Sequence, residues 1–355
     1  MLFASCGSSG LLANKNAREK YHDKVVKKHP AQSAAWQSAA AFALKHPLAI
    51  PVPYAETGIF GGDRPDATGF YFTAKKGQKI SISLKRTGLN TPTVFTELFE
   101  AGDLSKPAFI KAADTSFNFI EYVSPVSSNY ILRIQPALGG SGRYELRIIF
   151  SPELGFPVDE SVKSHIGSLW GDPRDGGKRK HEGIDIMAAK GSPVLAVADG
   201  IIDYVEEDEL GGKVISLKPF GRSFSVYYAH LDKQLVSDGQ RVKKGQQIGT
   251  VGNTGNARNT VPHLHFGIYL KNGSATDPLV YVQKTNPPAE PVSRPLNEWY
   301  QTSAQTKLYP SPARQNAYKL PAPVKIKTES CTKDFYRVLL ENGAKAFVAV
   351  TDIGR

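Results

Sequence analysis

Cysteine is scarce here: the 355 residues include only Cys6 and Cys331. Two cysteines cannot build a disulfide framework, and with no Cys-x-x-Cys pair there is no thiolate metal site. Any metal must be held by histidine and carboxylate. Long hydrophobic runs are missing too, and no apolar stretch approaches the roughly 20 residues that cross a bilayer as a helix. With 41% hydrophobic and 22% charged residues, the composition is that of an ordinary globular protein. At about 100 to 200 residues per domain, this length predicts about two to four domains.

Negative charge is in the minority, since 44 Lys and Arg stand against 33 Asp and Glu, a net charge of +11. The excess sits in residues 1–50 and 284–355, while 153–283 is nearly balanced. Basic flanks suit an anionic surface of any kind. No nucleic-acid recognition motif accompanies them, so nucleic acid is not an expected partner.

The chain opens Met1-Leu-Phe-Ala-Ser-Cys6-Gly-Ser-Ser-Gly10. This resembles the end of a bacterial lipoprotein signal, whose Cys is acylated, and implies membrane attachment through a lipid on Cys6. A full signal carries a longer apolar core upstream, and here five residues precede Cys6. Residues 14–46 are rich in Ala, Lys and Gln and lack Gly, with Pro30 dividing them, so helices are predicted over 15–28 and 31–45. The second, with Trp36 and an Ala run, is expected to pack on the following domain. Together, residues 1–49 form an N-terminal segment.

Residues 50–152 change to short β-rich runs. Phe70–Thr73, Lys79–Leu84, Tyr130–Ile134 and Tyr144–Phe150 read as strands, several alternating apolar and polar residues. They predict an antiparallel β-sandwich with an accessory role, and their order resembles jelly-roll modules of secreted bacterial peptidases. After a core at 153–283 comes a Pro-rich linker, 284–295, which is a semi-rigid spacer. Residues 296–355, with strands Phe335–Leu340 and 345–350, are expected to form a small barrel. It resembles the bacterial Src-homology-three-like type, which grips cell-wall peptides. Cys331 is expected to be a buried small residue.

Histidine with metal-ligand spacing is confined to the core. In His181-Glu-Gly-Ile-Asp185 an extended chain would put His181 and Asp185 on one face and Ile184 and Ile186 in the interior. In Val261-Pro-His263-Leu-His265-Phe-Gly-Ile, His263 and His265 share a face and Leu264, Phe266 and Ile268 the other. Between them lies Tyr227-Tyr-Ala-His230-Leu. Gly249, Gly252 and Gly255 repeat every three residues, but a dinucleotide loop must lead from strand into helix, and this one leads into a strand. They are read as hairpin turns. Glu182, expected on the opposite strand face from His181, is not taken as a general base. His165 is expected at the surface and His22, His29 and His46 in solvent. Lys178-Arg-Lys180 is either a solvated turn or an attractor of substrate carboxylates.

The segments HEGIDI, GSPVLAVADGII, YYAHL, VKKGQQIGTVGNTG and PHLHFGIY, in this order over roughly 160–280, resemble the lysostaphin-type, or LytM, zinc metallopeptidases that cut bacterial peptidoglycan. The resemblance implies that His181, Asp185 and His265 hold Zn2+ and that His230 and His263 are the catalytic pair. Two imidazoles and one carboxylate leave a fourth tetrahedral position open, as a catalytic zinc requires. Zinc there acidifies water and polarises a carbonyl. One imidazole can take the water proton and another can donate to the oxyanion, and His230 and His263 can fill either part.

The expected fold class is therefore mainly β and multidomain: an antiparallel β-sandwich, a LytM-type β-sheet peptidase core, a small Src-homology-three-like barrel and a helical N-terminus. The expected function is a zinc metalloendopeptidase acting on peptidoglycan stem peptides, periplasmic or anchored at the outer membrane. The alternative is a non-catalytic scaffold that activates another wall hydrolase; relatives with that role lack some of the five residues, and this chain keeps them all. Nothing in the sequence sets an oligomeric state.

Overall fold

The computed structural model describes residues 15–26, 28–88, 91–283, 287 and 290–353. Cys6, and with it the lipid-anchor expectation, lies outside the described residues, as does part of the Pro-rich linker. The architecture is mainly β, built from several antiparallel sheets with few helices.

The two N-terminal helices are Ala17–Val26 (α1) and Pro30–Lys45 (α2). Pro30 opens α2, where its missing N–H costs nothing. Trp36, Ala40 and Ala43 form the buried stripe of α2, and Trp36 Nε1 donates to Pro136 O at 2.8 Å. Gln135 Nε2 donates back to Trp36 O at 2.7 Å. Gly69 lies directly beneath this helix, where a Cβ would come within 2.0 Å of Ala43 O. The helix therefore packs on a sheet.

That sheet has five strands, in the order Leu48–Ala49, Thr68–Ala74, Ser128–Pro136, Val94–Glu100 and Ala108–Ala112. A second sheet faces it through Tyr54–Gly61, Ser141–Ser151, Lys79–Thr87 and Phe119–Val123. Phe70, Phe72, Leu132 and Ile134 from the first and Ile80, Ile82, Leu146 and Ile148 from the second share one apolar core. All four strands expected here are present, each longer than its apolar run.

The C-terminal strands are not a free-standing barrel. Lys325–Cys331 pairs with Tyr54–Gly61 through Thr57–Cys331 and Gly58–Ser330, which extends the second sheet to nine strands. A buried charge cluster accompanies the join. Glu56 accepts from Tyr54 Oη (2.6 Å), Tyr144 Oη (2.7 Å), Ser330 Oγ (2.6 Å) and Arg337 Nη1 (2.9 Å). Phe335, Phe347 and Ala349 also enter the sandwich core. Cys331 is buried, as expected.

Residues 153–283 hold a separate sheet of ten strands and their own core. Its central order is Ile184–Ala188, His263–Leu270, Phe224–Gln234, Gly212–Pro219 and Gly200–Asp208, all antiparallel. Ile184, Ile186, Leu264, Phe266 and Ile268 form the core side. The opposite side of these strands carries the polar residues described next.

Candidate functional site

The polar side of this sheet opens into a cleft of about 680 Å³. All five histidines and carboxylates singled out from the sequence line it: His181, Asp185, His230, His263 and His265. Strand pairing and alternation explain three of them. Asp185 is the direct cross-strand partner of His265, and Met187 of His263. Alternation then turns Asp185, His263 and His265 toward one side.

His181 arrives differently. It precedes the strand, and its backbone is held by Gly171 N donating to its carbonyl (2.9 Å) and its own N–H donating to Asp172 O (2.8 Å). Its Nδ1 donates to Leu169 O at 2.8 Å, so its Nε2 carries the lone pair. Glu182 also lies outside the strand and borders the cleft, exposed, which corrects the strand reading of its orientation. A Cβ on Gly183 would sit 2.6 Å from both His265 Cε1 and Phe266 O, so only glycine lets the chain cross there.

Three atoms converge. His181 Nε2, Asp185 Oδ1 and His265 Nδ1 are each 3.0 Å from the other two. The second carboxylate oxygen, Asp185 Oδ2, accepts from Arg174 Nη2 at 2.7 Å. Burial opposes ionisation of Asp185, but the His181 and His265 rings against its Oδ1 hold it well below the usual carboxylate range. Burial also lowers His265, against the pull of Asp185. The donor set fits a tetrahedral divalent cation: at Zn–N and Zn–O lengths near 2.0 to 2.1 Å, ligand atoms stand about 3.3 Å apart. Two of the three donors also have an outer partner that orients them, Leu169 O for His181 and Arg174 for Asp185, as is usual around a bound metal.

His230 reaches the cleft through a bulge. Tyr228 pairs with Ile215 and Leu231 with Lys213, so Ala229 and His230 together face Val214. Two residues against one makes a β-bulge, and His230 takes φ +62°. Strict alternation would have sent His230 into the core with Tyr228; instead Tyr227, Ala229 and His230 all border the cleft. His230 Nδ1 donates to Thr254 O (3.0 Å) and His263 Nδ1 to Val261 O (2.9 Å). A carbonyl can only accept, so both rings keep a lone pair on Nε2. Their centroids are 5.0 Å apart. Burial, then the neighbouring His263 and His265, push His230 down to about 4, so it is neutral at neutral pH.

His165 is exposed on the strand Ser164–Ser168 and does not line the cleft. The glycine repeat is a strand and its exit rather than hairpin turns. Gly249 lies inside Gln247–Val251, and Gly252 bridges to His263. A Cβ on Gly252 would come within 2.4 Å of Asp232 N and 2.7 Å of His230 O. The cleft adds residues not singled out from the sequence, notably Arg174, Tyr227 and Tyr269. Arg174 lies 11 residues from Asp185, a separation with no periodic signature.

Residues 179–278 match the family model "Peptidase family M23". The "L-Ala--D-Glu endopeptidase" of Bacillus subtilis is 36% identical over 129 residues, 34% of this chain and 39% of that protein. The "Peptidoglycan DD-endopeptidase ShyC" of Vibrio cholerae is 37% identical over 123 residues, 34% of this chain and 28% of that protein. Among solved structures, the catalytic domain of lysostaphin from Staphylococcus simulans is 34% identical and covers 34% of this chain and 90% of that one, with a TM-score of 0.30. The chain spans well under half the length of these two curated relatives. Through residues 179–278, this chain belongs to the M23 peptidase family, of lysostaphin/LytM type.

Proposed function

We propose that this chain is a zinc-dependent endopeptidase that hydrolyses peptide cross-links of bacterial peptidoglycan. The observation that carries the reading is the convergence of His181 Nε2, Asp185 Oδ1 and His265 Nδ1 beside two further imidazoles in one cleft. His181, Asp185 and His265 would hold the cation, which supplies Lewis acidity toward water and the scissile carbonyl.

The rest of the chemistry belongs to the chain. The Nε2 lone pairs of His230 and His263 accept a proton from the attacking water and return it to the leaving amine. Thr254 O and Val261 O fix the two rings, so no reorientation is needed when the proton moves. Arg174 takes up Asp185 Oδ2 and so aims the carboxylate. The relatives named endopeptidases of peptidoglycan and of the L-Ala–D-Glu bond support a wall peptide as substrate.

The remaining parts of the reading follow from the sequence. Residues 50–152 and 296–355 serve as accessory and wall-binding parts around the core 153–283, with 1–49 and 284–295 as the anchoring segment and linker. The cell envelope is the proposed location, with attachment through Cys6. Among the described residues, no helix is long and apolar enough to cross a membrane.

The test is a digest of purified peptidoglycan with zinc-loaded protein, fragments separated by mass, with His263→Ala as control. Conversion of cross-linked dimers to monomers by wild type alone supports an endopeptidase. No conversion, together with stimulation of another wall hydrolase, would replace it with the scaffold reading that the relative "Murein hydrolase activator NlpD" of Salmonella dublin represents.

A further inference from the structure

The two sides of the cleft differ in chemistry. The sheet order runs from Ile184–Ala188 through His263–Leu270 and Phe224–Gln234 to Gly212–Pro219. On the Ile184–Ala188 side stands a short hairpin in which Pro173–Arg174 pairs with Arg179–Lys180. On the Gly212–Pro219 side stands the turn carrying Leu210, 57% exposed; Val261, 66% exposed, also borders the cleft. The ligand group and the two free imidazole nitrogens lie between.

The three hairpin cations that line the cleft, Arg174, Arg179 and Lys180, are not equivalent. Arg174 is committed to Asp185 and Ser168, and Arg179 is engaged within the protein. Lys180 is exposed, borders the cleft and makes no ion pair among the described residues. The carboxylates facing the same cleft are Asp185, taken up by His181, His265 and Arg174, and the exposed Glu182. An ammonium one residue from His181, with no paired carboxylate among the described residues, is a recognition point for an anionic group on the substrate.

We propose that Lys180 is a specificity-determining residue that binds a free carboxylate of the substrate peptide close to the scissile bond, with small apolar side chains lying toward Leu210 and Val261. This rests on the endopeptidase reading and deepens it: the preferred substrate is an acidic peptide cross-link rather than a neutral one such as a glycine bridge. Lys180 acts through binding, and the proton-transfer groups are unchanged by its loss.

The experiment compares the full-length, zinc-loaded protein on one cross-linked peptidoglycan dimer in two forms, with its peptide carboxylates free or amidated. Wild type is expected to cut the free form roughly tenfold faster, as removal of one partly desolvated charge pair would give. Lys180→Glu abolishes or inverts that ratio, Lys180→Gln reduces it and Lys180→Arg retains it, all with unchanged bound zinc. Taking the ratio within each variant cancels any general loss of activity. A ratio that persists in Lys180→Glu, or equal rates for wild type, overturns the Lys180 proposal alone. Cleavage of neither form by wild type overturns the endopeptidase reading and this proposal with it.

Discussion

At the scale of single residues, the donor set depends on groups that never touch the reacting atoms. Arg174 takes up Asp185 Oδ2 and leaves Oδ1 to face His181 and His265. Arg174→Ala should therefore weaken zinc affinity by about 10- to 100-fold, read by competition with a chelator. Unaltered affinity would mean that Asp185 is oriented without it. Gly183→Ala should be worse than its size suggests, because the added methyl meets His265 and the Phe266 carbonyl together. Loss of bound zinc in a chain that still folds by circular dichroism is the expected result. Asp185, His263 and His265 were legible from alternation, since Ile184, Leu264 and Phe266 mark the buried face so plainly. Arg174 was not, because a hairpin brings it back and no periodicity records a hairpin.

At the scale of elements, the strand Phe224–Gln234 shows what alternation misses. Its bulge turns His230 out of the core and beside His263, and a positive φ at a non-glycine residue marks the strain. A histidine in an apolar run signals a place in the strand, whereas its side depends on a single extra residue. Gly252 is the neighbour that permits this backbone, with no room for a Cβ against Asp232 N and His230 O. Gly252→Ala should displace the bulge, lowering turnover at least tenfold while zinc content is kept, as a misplaced catalytic group would. Equal turnover would show that the bulge does not need this glycine. Helix α2 is legible as a packed element because Trp36 and the Ala stripe recur at helical spacing. Trp36 is fully buried against Tyr21 and Phe95. Trp36→Ala should cost about 3 to 5 kcal/mol in urea unfolding, and a loss below 1 kcal/mol would make the helix a dispensable cover.

At the scale of the whole molecule, the C-terminal strands and one sheet of the sandwich are continuous, joined by pairs far apart in sequence. No local pattern announces a join between Thr57 and Cys331. Glu56 and Arg337 are both buried and answer each other's charge across that join. Removing one leaves the other unpaired, so Arg337→Met should destabilise the protein by about 3 to 5 kcal/mol. The double change Glu56→Gln with Arg337→Met should recover part of that loss. Loss from the single change that leaves the rest of the unfolding transition untouched would mean that the two regions fold independently.

The most direct test of the account measures bound zinc per chain in wild type, His181→Ala, Asp185→Ala and His263→Ala, alongside release of peptidoglycan fragments by the same preparations. The account predicts one zinc per wild-type chain, little or none in His181→Ala and Asp185→Ala, and in His263→Ala full zinc with fragment release reduced by at least ~100-fold. Zinc retained in full by Asp185→Ala, or undiminished release by His263→Ala, would contradict it.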